Sequence, residues 1–259
     1  MVGIKTLEEI KIMTEGGKIL AGIIKKLEGM VKPGIETNEL NKVAEGLVLA
    51  SGGICSFKGY DDYPACLCTS INEEIVHAVP SERKLAEGDI VSLDLGIFYK
   101  GFHSDMAITV PVGKVSSESK RLIDVTKKSL EIGIEKIKPG NCFGDISRAI
   151  QKYAESYNFG VIRELCGHGI GRELHEDPQI LNSVSMSKET VDKVGYQSEA
   201  KIKLKEGMVF CIEPMIATGD WQIKKGKDGF SCETRDGSLS CHFEHTIVVT
   251  QSGHQVLTK

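Results

Sequence analysis

Two aspartates in one short stretch are the first residues in this chain whose types and spacing could do chemistry. Asp94 and Asp105 lie within residues 91–111, where apolar and β-branched residues flank Lys100-Gly101. This pattern predicts a β-hairpin that turns at Lys100-Gly101 and brings the two inward carboxylates together. Two buried acids that face each other need a cation or a shared proton. For an arbitrary pair of aspartates, solvated or capping carboxylates at strand ends are the simpler explanation.

An internal repeat supplies counterparts for both acids. Residues 84–94 (Lys-Leu-Ala-Glu-Gly-Asp-Ile-Val-Ser-Leu-Asp) align without a gap on residues 203–213 (Lys-Leu-Lys-Glu-Gly-Met-Val-Phe-Cys-Ile-Glu), so that Asp94 falls on Glu213. Glu244 leads a β-branched run as Asp105 does. Two equivalent halves that pack together would bring four carboxylates to a shared centre, and four acids together indicate a metal site.

The elements that must position these acids also occur twice. Thr6-Leu-Glu-Glu9 is a capping box that opens a helix, in which Gly16-Gly17 would permit close approach to a neighbouring element. A Lys-Pro-Gly turn follows, and Thr37 is expected to cap a second helix before strand-like sequence begins. The same order of helix, Lys-Pro-Gly, helix and strands recurs after residue 113. We therefore expect a single domain over residues 1–259, with pseudo-repeats at about 6–112 and 116–250.

Composition excludes several classes of protein. The net charge of -4 and the absence of a long basic tract argue against nucleic acid as the main ligand. No apolar run approaches the length of a membrane span, and the first residues lack the apolar core of a signal peptide, so we expect a cytoplasmic protein with no membrane partner. The eight cysteines are scattered without a Cys-x-x-Cys motif, which predicts reduced and mostly buried thiols.

A histidine between glycines is the remaining candidate. The segment Gly167-His168-Gly-Ile-Gly171 could be taken for a nucleotide fingerprint, but such a loop must open a helix, and the following Arg172-Glu-Leu-His175 is a poor helix start. Glycines beside His168 would let the backbone come close to a ligand, which suits one nitrogen donor in an oxygen-rich site. A lone histidine is more often structural, whereas four converging acids favour a ligand.

Together these motifs resemble the type I methionine aminopeptidases, metallopeptidases of the pita-bread fold, over essentially the whole chain. The resemblance implies an α+β fold of two pseudo-symmetric halves, with a central antiparallel β-sheet covered by helices. The motifs that carry it are Ser70-Ile-Asn72, Val76-His77-Ala-Val-Pro80, Asp94, Gly101-Phe-His-Ser-Asp105, Gly167-His168-Gly-Ile-Gly171, His175-Glu-Asp-Pro178, Ile212-Glu213-Pro-Met215 and Phe243-Glu244-His-Thr246.

The resemblance also implies a cofactor and a reaction. Two divalent ions, whether cobalt, manganese, iron or zinc, would be bridged by Asp105 and Glu244, with Asp94 chelating one ion and His168 and Glu213 completing the other. Water activated by the two ions would remove the N-terminal methionine from nascent polypeptides. Glu213 would act as the proton shuttle. The other two catalytic candidates, His77 and His175, would hydrogen-bond the substrate and the developing oxyanion.

By the same resemblance, eight residues would bind the substrate. They are Phe57, Tyr60, Tyr63, Cys68, His77, Leu174, His175 and Phe230. The apolar members could equally be core residues. The chain departs from the family pattern at four positions: Phe230 replaces the usual Trp, Leu174 the usual aromatic residue, and Asp62 and Ser104 the usual Gly. These departures affect the shape of the pocket and not the chemistry.

The expected partners are nascent peptides that begin with Met followed by a small residue; ribosome contact and a monomeric state are expected by resemblance alone. One alternative is a prolidase or an enzyme like aminopeptidase P, although such enzymes usually carry a separate N-terminal domain and the first helix here starts at Thr6. Another is a non-catalytic pita-bread binding protein, although such proteins lose ligands that this chain retains. A purely structural metal site would not need His77 and His175 nearby. Residues 183–201 form a polar excursion that is either a mobile surface segment or a lid.

Overall fold

Four α-helices frame the protein over residues 2–184 and 199–259, which the computed structural model describes. They are α1 (Leu7–Glu28), α2 (Thr37–Ala50), α3 (Ser117–Ile134) and α4 (Phe143–Glu155). The capping box of Thr6 and Glu9 is confirmed at the start of α1. The capping role predicted for Thr37 is wrong, because Glu36 is the N-cap of α2 and the Thr37 hydroxyl instead donates to the Ser81 carbonyl at 3.1 Å.

A run of strands follows each pair of helices. The first half of the chain contributes β1 (Ile54–Cys55), β2 (Leu67–Ile71), β3 (Glu74–Val76), β4 (Ile90–Tyr99) and β5 (Phe102–Pro111). The second half contributes β6 (Gly160–Val161), β7 (Cys166–Gly169), β8 (Glu176–Leu181), β9 (Val209–Ile212), β10 (Met215–Ala217), β11 (Ile223–Lys225), β12 (Cys232–Thr234), β13 (Ser240–His242), β14 (Glu244–Val249) and β15 (His254–Val256).

Nine of these strands form one antiparallel sheet. Its order is β1-β4-β5-β14-β9-β7-β8, with β2 also paired to β4 and β15 to β14. Strand β5 from the first half pairs with β14 from the second, with Ala107 opposite Glu244. The expectation of an α+β fold with a central antiparallel sheet is therefore confirmed, and the two halves meet at β5 and β14.

The predicted hairpin is present and turns where expected. Strands β4 and β5 pair along their whole lengths, and Lys100 and Gly101 both have positive φ, as a tight hairpin turn requires. Gly96 lies opposite Asp105, and Asp94 lies opposite Ala107. The two aspartates therefore share one face of the sheet but are offset along it, because side chains alternate between faces with a period of two.

Two apolar cores fix the helices on the sheet. Helices α1 and α2 pack on β2, β4 and β5, and α3 and α4 pack beside the second-half strands. The predicted close approach at Gly17 is confirmed, since a Cβ there would overlap the Leu257 carbonyl. Of the helices within residues 2–184 and 199–259, none has both the length and the apolar character needed to cross a membrane.

The prediction that every cysteine is reduced is wrong for one pair. Cys55 and Cys66 form a disulfide, which closes the loop between β1 and β2. Both residues sit beside β4, since Cys55 is opposite Ile97 and Leu67 is opposite Leu95, and this pairing brings the cysteines side by side. The predicted excursion at residues 183–201 falls mostly on residues 185–198, which lie outside the described residues, and the lid hypothesis stays a prediction.

Candidate active site

A row of residues crosses the central sheet and carries the predicted acids. Cys68 is opposite Asp94, Asp94 is opposite Ala107, and Ala107 is opposite Glu244. His245 on β14 pairs with Ile212 on β9, and the two strands are antiparallel. Glu213, which follows Ile212, therefore lies beside Glu244, which precedes His245. The small side chain of Ala107 stands in the middle of the row. It leaves space between the flanking carboxylates that a larger residue would fill.

Asp105 completes the acidic cluster from the same face of β5. Carboxylate oxygens of Asp94, Asp105 and Glu244 all lie within 4.8 Å of one another. Two hydrogen bonds to Thr246 hold the backbone of Asp105 in place. The Thr246 hydroxyl accepts from the Asp105 amide at 2.9 Å and donates to the Asp105 carbonyl at 2.8 Å. The four acids that the repeat predicted are therefore brought together at the junction between the two halves.

His168 reaches the cluster from β7. Its Nδ1 donates to the Gly169 carbonyl at 2.9 Å, which leaves the Nε2 lone pair free to bind a metal. Nε2 lies 3.6 Å from Glu213 Oε1 and 4.0 Å from Glu244 Oε1. The flanking glycines do not serve the purpose expected from the sequence. A Cβ on Gly167 or Gly169 would overlap a backbone carbonyl of β9 or the start of β8, so the glycines allow strand packing and not ligand approach.

The electrostatics of the cluster fit divalent cations. Burial, together with the neighbouring carboxylates, raises the pKa values of Asp94, Glu213 and Glu244 well above their usual range, and burial raises the pKa of Asp105 to about 7. Among the described residues, Asp94 Oδ1 and Glu244 Oε1 are buried without a hydrogen-bond partner. Buried carboxylate oxygens with no donor are destabilising unless a cation binds them, so these residues fit a metal centre.

The two histidines predicted to contact substrate border this centre. His77 has a φ of 62°, an uncommon backbone conformation for a residue with a side chain. Burial, with smaller effects of His175 and Lys225, lowers the pKa of His77 to about 4, and burial also lowers the pKa of His175. The His175 Nδ1 lies 2.8 Å from the Tyr60 hydroxyl, and its ring packs edge-on against that of His168. Both imidazoles are thus neutral near pH 7.

One cavity of about 360 Å3 joins the acids to the predicted pocket. All eight predicted substrate-binding residues and all five predicted metal ligands line it. The walls pack tightly: Tyr63 and Phe230 meet edge to face with centroids 5.5 Å apart, and the Tyr63 hydroxyl donates to the Ala78 carbonyl at 3.0 Å. Leu174 is 2% exposed. The cavity is therefore apolar at one end and acidic at the other.

Two of the departures from the family pattern have a structural explanation. Asp62 has a φ of 62°, in the left-handed region that glycine favours and that aspartate tolerates better than most residues. Ser104 is buried, and its hydroxyl donates to the Met13 carbonyl of α1 at 3.3 Å. Neither residue obstructs the cavity.

Sequence reasoning missed several residues that belong to this site. His242 forms a group of three potential ligand atoms with Glu213 and Glu244, and Cys211 forms another with His168 and Glu244. Asp61 and Lys225 also line the cavity. A signal for His242 existed, because it stands two residues before Glu244 at the start of a strand, where alternate residues share a face. The same signal existed for Cys211, which stands two residues before Glu213, whereas nothing comparable marked Asp61 and Lys225.

Comparison with known proteins identifies the class. Metallopeptidase family M24 matches residues 11–251, and the chain belongs to this family. Methionine aminopeptidase 1 of Bacillus subtilis (strain 168) is 42% identical over 259 residues, which cover all of both chains. The crystal structure of methionine aminopeptidase from Rickettsia prowazekii has a TM-score of 0.93 and 38% identity, again over all of both chains. The resemblance to type I methionine aminopeptidases of the pita-bread fold is therefore confirmed.

The prolidase alternative shares the fold at lower similarity. The Xaa-Pro dipeptidase from Bacillus anthracis has a TM-score of 0.76 and 25% identity, and the match covers 99% of this chain and 62% of that chain. Identity of 38–42% over full length therefore favours the methionine aminopeptidases over the prolidases. The family is one of metallopeptidases, and the buried carboxylate and imidazole groups are of the kind that bind divalent ions.

Proposed function

We propose that this chain is a methionyl aminopeptidase that hydrolyses the first peptide bond of polypeptides beginning with methionine. The observation that carries the proposal is a single cavity in which an apolar pocket ends at a buried cluster of four carboxylates and His168. Relatives at about 40% identity over the full length bear the same activity in their names.

Five side chains of this cavity would hold two divalent ions: Asp94, Asp105, His168, Glu213 and Glu244. When bound, the ions would supply Lewis-acid activation of water and of the scissile carbonyl. Oxygen-rich ligation suits manganese, iron, cobalt or zinc. The donor-free oxygens of Asp94 and Glu244 support this ligand set.

The remaining steps belong to residues of the chain. Glu213, a 9% exposed member of the cluster, would take the proton of the attacking water and return it to the leaving amine. Neutral His77 and His175 would each donate an N–H to the carbonyl oxygen as it gains charge. The 2.8 Å contact of Tyr60 with His175 Nδ1 orients that ring, so that its other nitrogen is directed away from Tyr60.

The apolar end would select methionine. Phe57, Tyr63, Cys68, Leu174 and Phe230 offer aromatic and sulfur surfaces, which suit a flexible thioether. Tyr63 and Cys68 are both buried, and they would close the pocket around the methionine side chain.

The experiment that tests the proposal is release of free methionine from the peptide Met-Ala-Ser. The metal-free protein should be inactive, and added cobalt, manganese, iron or zinc should restore release. Asp105→Asn should lose both metal and activity, because an amide cannot supply the negative charge on which the ions depend. The matched control is Glu118→Gln on the exposed first turn of α3, which should match the unmodified protein. No release with any of the four metals refutes the proposal.

The compartment, the oligomeric state and the ribosome contact of the enzyme stay predictions. We propose a cytoplasmic monomer that acts on nascent chains with a small second residue, in contact with the ribosome. The two-half organisation at about residues 6–112 and 116–250 is supported by the repeated order of helices and by the pairing of β5 with β14. Size-exclusion chromatography and cosedimentation with ribosomes test the monomer and the ribosome contact.

A further inference from the structure

His242 is a buried histidine at the metal cluster to which the proposed mechanism gives no role. It ends β13, is 1% exposed, and stands two residues before Glu244. Among the described residues, neither of its ring nitrogens has a hydrogen-bond partner. A neutral imidazole carries one donor and one acceptor, so both are left unsatisfied in the interior, which is destabilising.

The distances from the His242 ring to two acids indicate which kind of partner its unpaired Nε2 would bind. His242 Nε2 lies 3.5 Å from Glu213 Oε2 and 3.9 Å from Glu244 Oε2. Hydrogen bonds of this type are about 2.7–3.2 Å long. Two ligand atoms that each sit about 2.0–2.2 Å from one ion, at angles between tetrahedral and more open, are about 3.4–4.0 Å apart. The measured separations match shared coordination and not hydrogen bonding.

His168 provides an internal comparison. Its Nε2 lies 3.6 Å from Glu213 Oε1 and 4.0 Å from Glu244 Oε1, almost the same pair of separations to the opposite oxygens of the same two acids. The two imidazoles therefore lie near different oxygens of the Glu213 and Glu244 carboxylates. Nε2 of His242 and one oxygen from each acid also lie within 4.8 Å of one another.

We propose that His242 is a direct metal ligand, a sixth protein ligand that gives the centre two imidazoles where the family resemblance implied one. The inference rests on the proposed metal centre. A second nitrogen donor makes the ligand set softer, which favours zinc, cobalt or iron over manganese. The residue therefore bears on which metal the chain prefers.

The test is nitrogen NMR of the full chain with 15N-labelled histidine, titrated with zinc. The chain has seven histidines, and a ring nitrogen that binds zinc is distinguished by its shift and by the absence of an attached proton. We expect two rings to respond, and His242→Gln should abolish one of the two responses. In calorimetry the same substitution should weaken zinc binding at least about tenfold, with a smaller effect on manganese.

His245→Gln is the matched control, because this neighbouring histidine bonds Thr258 at 2.9 Å through Nδ1. It should keep both zinc-bound rings. A single responding ring in the unmodified protein, or two in His242→Gln, overturns the proposal. If His242→Gln fails to fold, a single responding ring in the unmodified protein still overturns the proposal. Two zinc-bound rings without methionine release would refute the proposed function alone, whereas one ring with release would refute only the role of His242.

Discussion

At the scale of single residues, burial determines the chemistry of the site. The buried carboxylates have raised pKa values and the buried histidines lowered ones, since both shifts favour the uncharged form. Divalent cations reverse this preference for the acids, because they stabilise the carboxylate form. The histidines need no cation, because their lowered pKa values leave them uncharged near pH 7.

His77→Ala should separate metal binding from catalysis. The side chain lines the cavity but belongs to none of the three potential ligand groups, so metal content should be unchanged. Loss of one oxyanion donor typically lowers kcat by about 10²–10³-fold. Metal analysis and steady-state kinetics on the same preparation measure both effects.

The control for this substitution is His254→Ala, an exposed histidine on β15 that should retain full rate and metal content. Loss of bound metal in His77→Ala would show that His77 is a ligand and not a donor to the substrate.

At the scale of elements, the approach of α1 to the C-terminal segment depends on one glycine. Gly17→Ala would drive a methyl group into the Leu257 carbonyl, and overpacking of this kind typically costs about 1–3 kcal/mol. Gly22→Ala on the same helix is the matched control, because its Cβ meets nothing within 4 Å. That change should stabilise the protein by about 0.5–1 kcal/mol through helix propensity.

Urea denaturation of the two variants gives both free energies of unfolding. Equal values for Gly17→Ala and Gly22→Ala would contradict the close contact between α1 and Leu257.

At the scale of the whole molecule, stability should fall on both sides of mildly acidic pH in the metal-free protein. On the acid side, burial, with smaller effects of Lys259 and Lys127, lowers the pKa of His245 to about 4. The unfolded chain therefore takes up this proton first, and the stabilisation is complete above about pH 6.5 and lost as the pH falls towards 4. The full effect is roughly 3 kcal/mol. His245→Gln should flatten this acid limb in urea titrations from pH 7 to pH 4.

On the neutral side the sign is reversed. Burial raises the pKa of Asp105 to about 7, so its contribution is complete below the unfolded value of about 4 and is lost as the pH rises through 7. Metal-free protein should therefore melt at a lower temperature at pH 8 than at pH 6, and added cobalt should raise the melting temperature most at pH 8. A melting temperature independent of metal at pH 8 would contradict a cation-binding cluster.

Much of the site was determined by the sequence. The gap-free alignment of residues 84–94 on 203–213 linked Asp94 to Glu213 and predicted a centre of four acids, because similar segments of this kind indicate a repeated structural unit. The hairpin turn at Lys100-Gly101 followed from local chemistry. Motif resemblance then supplied His168, the two histidines proposed to contact the substrate and the residues proposed to form the pocket. The hairpin and the repeat could be recognised from turn chemistry and from the sequence alone, whereas the roles of the histidines and of the pocket residues were implied only by the resemblance to the family.

The tertiary structure determined the contacts that depend on pairing between strands distant in sequence. Only the register of β13 and β14 against their neighbours places His242 against Glu213, and only the joint pairing of β1 and β2 with β4 brings Cys55 to Cys66. The reason for the glycines beside His168 also lies in the packing of other strands, because a Cβ at either position would overlap a carbonyl of β9 or β8. Contacts between residues so distant in sequence leave no local pattern, because they depend on how the strands are ordered in the sheet.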